Sequence, residues 1–492
     1  MKPEDHGQEY RDDHVTLVGD PIGAARLYVY CHGPSLLTHA RPAALLDTVC
    51  ARGLPVSADP AALGYFLTSG LMPMPAGVFP ALKVIGIGDR FSFRRAGERW
   101  VVRQDLDFPY FAGRSRQDQK PDSGHLMQLL TASVDRQLHT VKNPVLMLSA
   151  GKDSSAIAAA LARLGRHDVR CLTFAAGTDK DEDAYARSLC RQLGLTHERV
   201  AIPADRPVDG DVLTAFFRNA PFPCGDDCQI PYVIALHQAG SADSVLDGSG
   251  NDVYMGHVPS RNDRQRDRWR VRNRRLSAVL ERLVPFGTRL DQLLRDPVQH
   301  CFVQGLFRLR EVRRFFPDAV SDDTFKEPLL EAYDQLDVFD FRALVRGRHY
   351  DQGSCALKAQ MACQAAGKKF LLPWCDADVI DYYFNLPQSA RFDSRTFTNK
   401  VLLREMLHRE IGYPDAELGK RYFQFDRVGF FTANKARVYE EILGCRYWEK
   451  RASEALLDDV YRRLPRNPRV GVALNTWFLL SGWLNHNRWL NR

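Results

Sequence analysis

The chain has 492 residues, 45% hydrophobic and 26% charged, with 34 glycines and 27 prolines. At roughly 150 residues per domain this is two or three domains of ordinary globular composition, which excludes collagen-like, coiled-coil and disordered classes. The formal charge of +7 is mild, no apolar run reaches the roughly 18 residues of a membrane helix, and the polar start MKPEDHGQEYRDDH is unlike a signal peptide, so a cytoplasmic protein without a membrane partner is expected.

Eleven cysteines run from Cys31 to Cys445 without a repeating spacing, which suits reduced thiols better than a disulfide framework. Cys224 and Cys228 sit close together but have no second ligand pair beside them, so they are read as ordinary loop side chains. No repeat and no low-complexity segment interrupts the chain.

The most informative stretch begins at Asn143. An apolar run, Val145 to Leu148, leads into a small-residue turn, Ser149 to Ser154, and then an alanine-rich helix. A second strand is expected from Val169 to Phe174, a helix from Glu182 to Leu193, and a third strand from Glu198 to Ile202. Strands alternating with helices at this spacing predict parallel βαβ units, hence an α/β fold.

The turn after the first strand carries the chemistry. Ser149, Ala150 and Gly151 let backbone N–H groups approach a phosphate, and Ser154 and Ser155 add hydroxyls at a helix N-terminus, which together make an anion cradle. Neither a Walker P-loop nor a dinucleotide GxGxxG is present. Asp153 lies inside the cradle, where it either caps the helix or shares a Mg²⁺ ion with bound phosphates.

Further on, Ser260 to Leu276 hold eight arginines against two aspartates, a local excess of +6. The segment from Arg264 to Arg275 suits either a solvated helix or loop, or a docking face for an acidic partner or anionic substrate; nucleic acid is not expected as a partner from one basic block.

SAGKDSS resembles the SGGxDSS pyrophosphate-binding motif of the ATP pyrophosphatases, in particular the synthetase domain of the asparagine synthase family. In the right order, DEDAYARSLCRQLG resembles the family's DExxYA helix and SVLDGSGNDVYMGH its VLSGEGADELFGGY segment. KKFLLPWCDADVIDYYFNLP resembles RxPFLDxxLVExAxxLP, and TNKVLLREMLHREI with ELGKRYFQF resembles the KxLLRxA helix and lysine-bearing loop. The resemblance implies a parallel-sheet, PP-loop (adenine nucleotide hydrolase-like) domain over 116–492 with helical C-terminal segments, and ATP and Mg²⁺ as cofactors. It implies Asp153 and Asp252 as the metal pair; Ser149, Ala150, Gly151, Ser154 and Ser155, with Gly248 and Gly250, around the phosphates; and Leu148, Thr173 and Phe174 beside adenine. Lys420 aligns with the lysine that neutralises developing charge.

Upstream, VTLVGDPIGAARLYVY and the stretch from Gly64 to Phe93 resemble the second half of the family's N-terminal glutaminase domain. The Met-Cys start of a working glutaminase is absent, with Lys2 at the second position. Residues 1–115 are therefore expected to be a small, β-rich, truncated Ntn-type unit, noncatalytic and packed on the synthetase domain. Ser249 stands where the family has glutamate or tyrosine, and Val253 replaces a second glutamate; Asp247 and His257 are candidate replacement bases.

The resemblance implies an ATP-dependent ligase that adenylates a small-molecule or peptide carboxylate, releases pyrophosphate and joins an amine, in the manner of β-lactam synthetases and lasso-peptide cyclases of specialised metabolism. Ammonia-dependent amidation, a sulfur-transfer or tRNA-modifying enzyme, and a noncatalytic nucleotide-binding subunit stand as alternatives.

Overall fold

The computed structural model describes residues 8–20, 26–106, 118–175, 182–202, 205–255, 338–393, 395–418, 425–448 and 452–491, and, between 256 and 337, residues 272–284 and scattered single positions. Two antiparallel sheets form the N-terminal unit. One has the order β1-β4-β3-β5, from β1 (Gln8–Glu9), β3 (Leu27–His32), β4 (Ser35–His39) and β5 (Leu82–Ile85). The other has the order β2-β6-β7, from β2 (His14–Val18), β6 (Asp89–Ala96) and β7 (Arg99–Leu106). Alternation in these strands sends Val15, Leu17, Phe91 and Phe93 inward, where they meet Val29 and Leu36 in a small core of their own. Two helices, Pro42–Ala51 and Pro60–Ser69, turn other residues of the unit into a second core shared with the rest of the chain. Phe79 packs on Trp483 at 5.7 Å between ring centroids, and Asp47 accepts from Trp489 Nε1 at 2.8 Å.

The central sheet is wholly parallel, in the order β10-β9-β8-β11-β12. Its strands are β8 (Pro144–Met147), β9 (Arg170–Ala175), β10 (Thr196–Ala201), β11 (Ser244–Leu246) and β12 (Lys369–Leu371). The three strands expected from the sequence are present within two residues of their expected bounds. Both faces are covered, as a parallel sheet requires. Leu146, Leu148 and Cys171 point into a core with the helices Ser123–Leu138, Lys152–Arg163 and Asp183–Leu193; Val145, Met147 and Leu172 point into the other, with Gly210–Asn219, Gln229–Gln238 and Ala356–Ala365.

Strand order fixes where a ligand can sit. From β8 the chain builds outward through β9 to β10, then crosses to place β11 and β12 on the other flank of β8. The loops leaving β8 and β11 therefore part in opposite directions and open a crevice at the carboxyl edge, the usual ligand position in open α/β sheets. A π-helical segment, Arg346–Cys355, runs between the helices Val338–Val345 and Ala356–Ala365, and widened turns of this kind occur frequently at functional sites. Helices such as Val401–Ile411, Lys435–Leu443 and Pro468–His486 complete the C-terminal part. Among the described residues no helix is long and apolar enough to cross a membrane.

Candidate active site

The crevice between β8 and β11 is a cavity of about 390 Å³. Its floor is the turn Ser149–Ser154 and its opposite wall the loop Asp247–Asp252. These loops approach closely: a Cβ on Gly248 would lie 2.9 Å from the Ser154 nitrogen, so only glycine fits there. Gly250 adopts φ +104, and a Cβ would fall on Cys375 Sγ.

The cradle is held in shape by its own serines. Ser154 Oγ accepts from the Ser149 N–H at 3.1 Å and lies 3.0 Å from Ser149 Oγ, which accepts from the Gly151 N–H at 3.0 Å. Gly151 is the N-cap of Lys152–Arg163, and the first N–H groups of a helix have no intrahelical partner, so this end is ready for an anion. Tyr413 pins the turn from behind, donating to Ala150 O at 2.5 Å, while Trp374 Nε1 donates to Asp153 O at 3.0 Å.

Asp153 and Asp252 converge on one point, and that point holds a lysine absent from the expected set. Lys400 Nζ donates to Asp153 Oδ1 and Oδ2 at 2.8 and 2.7 Å, pairs with Asp252 Oδ1 at 2.6 Å and reaches Asn251 Oδ1 at 3.1 Å. Asn251 Nδ2 closes the group by donating to Asp153 Oδ1 at 2.5 Å. The Lys400 side chain is only 7% exposed. Burial alone would lower its pKa, but the two carboxylates outweigh that and raise it above the ordinary lysine value, so it is a cation at any working pH.

The sequence motif explains how the lysine is placed. In KVLLR, Leu402 and Leu403 are buried in the core, and Arg404 grips the preceding turn by donating to Asn399 O at 2.7 Å and to Asn399 Oδ1 at 3.2 Å while pairing with Asp415. Lys400 itself sits at φ 55, the N-cap of Val401–Ile411. It is the first residue of the stretch that resembles KxLLRxA, and that resemblance is the one sequence signal that could have found it.

Other expected positions separate into those on the cavity and those behind it. Leu148, Ser149, Gly151, Asp153, Ser154, Phe174, Gly248, Ser249, Gly250 and Asp252 line it. Ala150 does not; it is buried, and its N–H points to Glu182 Oε2 at 3.4 Å. Ser155 is fully buried on the helix face away from the cavity, and Thr173 faces the opposite side of β9 from Phe174, with its Oγ1 3.1 Å from His197 Nε2. Val253 is buried against Gly347, outside the cavity. Lys420 and His257 lie outside the described residues, as does most of the arginine-rich segment; within it Arg270 is buried, whereas Arg272 and Arg275 are exposed.

Beyond the phosphate cradle the cavity is charged. Tyr232 donates to Asp247 Oδ2 at 2.8 Å, and Ser249 donates to Asp247 Oδ1 through its N–H at 2.8 Å and its hydroxyl at 2.5 Å. Burial, then the Asp247 charge, raise the Tyr232 phenol well above its usual value, so it remains a donor. Asp351, Cys355 and Lys358 enter from the π-segment and the helix after it, and Cys228 from the N-cap of Gln229–Gln238. Burial pushes the Cys228 thiol up to about 12, so neither nucleophile nor metal ligand is expected of it. Asp351 and Lys358 stand in a run, HYDQGSCALKAQ, that carries no motif.

A scan against protein-family models matches asparagine synthase over residues 125–459. The chain belongs to the asparagine synthase family. Members of this family are ATP-dependent ligases, and the parallel sheet with its cradle at the switch point is the matching architecture. A search of curated proteins gave no match.

Proposed function

We propose that the protein joins a carboxylate to an amine by adenylating the carboxylate with ATP, and that it does so without generating ammonia from glutamine. The observation that carries this is the convergence of Asp153 and Asp252, from two neighbouring strand ends, on one point beside an anion cradle. The two carboxylates and the Asn251 amide oxygen are hard oxygen donors, and among the described residues no cluster of three His, Cys, Asp or Glu side chains converges. That set suits Mg²⁺, which takes one or two carboxylates and completes its shell with phosphates and water; when bound it compensates the triphosphate charge.

In this reading the phosphates lie on Ser149–Ser154 and the adenine against Leu148 and Phe174. A carboxylate oxygen of the substrate attacks the α-phosphorus, the α–β anhydride bond breaks, and pyrophosphate leaves with Lys400 near its charge. The amine nitrogen then attacks the acyl carbon, AMP departs, and the proton lost by nitrogen passes to the protein. Ser249 is suited to receive that N–H: its own proton is directed to Asp247, so its oxygen is left as an acceptor with a carboxylate behind it. A serine alone is no base near neutrality; the Ser249–Asp247 pair is the replacement we assign.

In this reading the N-terminal unit supplies no glutaminase nucleophile. Of its two cysteines, Cys31 lies within β3, and burial raises its thiol above the usual range despite Lys83 nearby, which disfavours the thiolate that would attack glutamine. A substrate that brings its own amine fits best, because tethering supplies a large effective concentration and tolerates a weaker base. The arginine-rich segment, with Arg272 and Arg275 exposed, would hold an acidic part of such a substrate, peptide or otherwise.

Exchange of labelled pyrophosphate into ATP, driven by a panel of carboxylates, tests the proposal. Asp153→Asn and Asp252→Asn should each lower exchange on the order of a hundredfold or more. Wild-type exchange in either variant would remove the metal assignment.

A further inference from the structure

Lys400 occupies the place between the two aspartates that a metal ion would need. Its ammonium has three N–H groups and four oxygen neighbours at 2.6–3.1 Å, two from Asp153, one from Asp252 and one from Asn251, so every donor is used. The two negative charges are thereby partly compensated, and a divalent cation entering from solvent would meet a fixed positive charge at contact distance in a shielded site, where repulsion is strong.

Resting on the function proposed for this site, we propose that Lys400 is a resident counter-cation that keeps divalent metal out of the empty enzyme and yields its place only when a nucleotide offers phosphate oxygens in exchange. Metal admission is then coupled to nucleotide binding through one side chain. The geometry allows the handover. The backbone of Lys400 is fixed by its N-cap position and by the Arg404 grip on Asn399, so the motion belongs to the four-carbon side chain alone. Asp153 sits on the first turn of the helix whose N-terminus forms the cradle, so a phosphate bound there lies within reach of an ammonium already bonded to Asp153. Lys152, one residue away, is held by Asp415 at 3.0 Å and stacks over Tyr413, so it is not positioned for the same exchange. The consequence is order: the aspartates are kept apart from adventitious metal, and the site assembles only around a triphosphate.

The test is direct metal binding to the full chain, with Mn²⁺ as the paramagnetic probe and α,β-methylene-ATP as a nucleotide that cannot be cleaved at the reacting bond. Loss of the free Mn²⁺ signal gives the affinity. Without nucleotide, the wild-type protein should bind Mn²⁺ weakly, whereas Lys400→Met and Lys400→Gln should bind it about ten- to a hundredfold more tightly, on the order of the usual coupling between two binding events. Lys400→Arg keeps a cation and should stay closed like the wild type. Equal Mn²⁺ affinity in the wild type and both neutral variants, or an arginine variant that binds like the methionine one, overturns the proposal. Should loss of the lysine's charge beside the two aspartates unfold the neutral variants, the wild type still decides: MnCl₂ alone should leave its melting temperature unchanged, and a rise that Asp252→Asn abolishes overturns the idea. Failure of the underlying functional reading looks different, since the wild type would then bind no α,β-methylene-ATP in any metal.

Discussion

Replacing Arg348 by methionine asks how firmly the N-terminal unit holds the active-site wall. Arg348 lies in the π-segment, three residues before Asp351, and reaches across to the sandwich. There it donates to Asp89 Oδ1 at 2.7 Å and to Ile87 O at 3.1 Å, with the two charged side chains only 5% and 1% exposed. Breaking a buried pair from one side costs about 3–5 kcal/mol because the surviving charge is stranded. Asp89 keeps two donors, the Gly86 N–H at 3.0 Å and Gln104 Nε2 at 3.1 Å, which places the loss at the lower end, about 3 kcal/mol. Methionine preserves most of the stem, so little is added for a cavity. The pH dependence has a definite sign. Burial already raises the Asp89 pKa above the ordinary carboxylate value, with Arg348 opposing, and without the arginine it rises further. A carboxyl whose folded pKa is raised contributes stability in acid that is lost as pH climbs through that pKa, so the penalty of Arg348→Met is small in acid and grows as pH rises through the raised pKa of the stranded carboxyl. Urea unfolding of Arg348→Met, Asp89→Leu and the double variant, followed by tryptophan fluorescence across that range, measures it, and the double variant should recover most of the loss. A destabilisation below about 1 kcal/mol at every pH, or one that does not shrink in acid, would refute the reasoning.

The remaining expectations concern chemistry and partners. Ser249→Ala and Asp247→Asn should leave pyrophosphate exchange near wild type yet slow amide formation by about a hundredfold, the usual scale of a lost proton acceptor; equal losses in both steps would place the pair in nucleotide binding instead. Charge reversal at Arg272 and Arg275 should weaken capture of the substrate without changing ATP affinity, and the effect should fade as salt shortens the screening length below about 8 Å; unchanged capture at low salt returns the segment to plain solvated surface. Incubation with ATP, Mg²⁺, aspartate and glutamine should yield no glutamate by mass, and an ammonium salt should give little asparagine; glutamate formation would restore a glutaminase, and fast asparagine formation would favour ammonia over a tethered amine.

The half of the site made by short-range sequence was readable and the half made by topology was not. A strand, a small-residue turn and an alanine-rich helix in succession announce the cradle, because each has a local cause in burial, backbone freedom and propensity. Periodicity parts two pairs of expected residues. Successive residues on a helix point about 100° apart, so Ser154 and Ser155 cannot both face the ligand, and successive strand residues alternate, so Thr173 and Phe174 cannot both line the same wall. The structure gives the cavity to Ser154 and Phe174. Lys400 was hidden for another reason. In TNKVLLREMLHREI it looks like one more charge on an amphipathic helix, and only the αL turn at φ 55 directs it inward instead of to solvent. Asp351 and Lys358 had no local signal at all, since a π-segment leaves no periodic mark and its meeting with β8 and β11 depends on strand order.

The two ends of the cavity are therefore supported by different parts of the molecule. The cradle end is built on strand ends of the parallel sheet: Ser149–Ser154 and Asp252 follow β8 and β11, Tyr413 and Trp374 brace the turn, and Lys400 is delivered by a helix packed on the same core. The far end borrows its side chains from the π-segment, and that segment is gripped by the N-terminal sandwich through Arg348 on Asp89 and through Arg26, which donates to Gln352 O. The N-terminal unit thereby has a physical role at the site. Removing its grip would leave ATP binding largely intact while loosening Asp351 and the side chains beside it, where small displacements cost most because the reacting atoms must be held at near-contact distance. Damage at this interface should consequently appear in amide formation before it appears in pyrophosphate exchange.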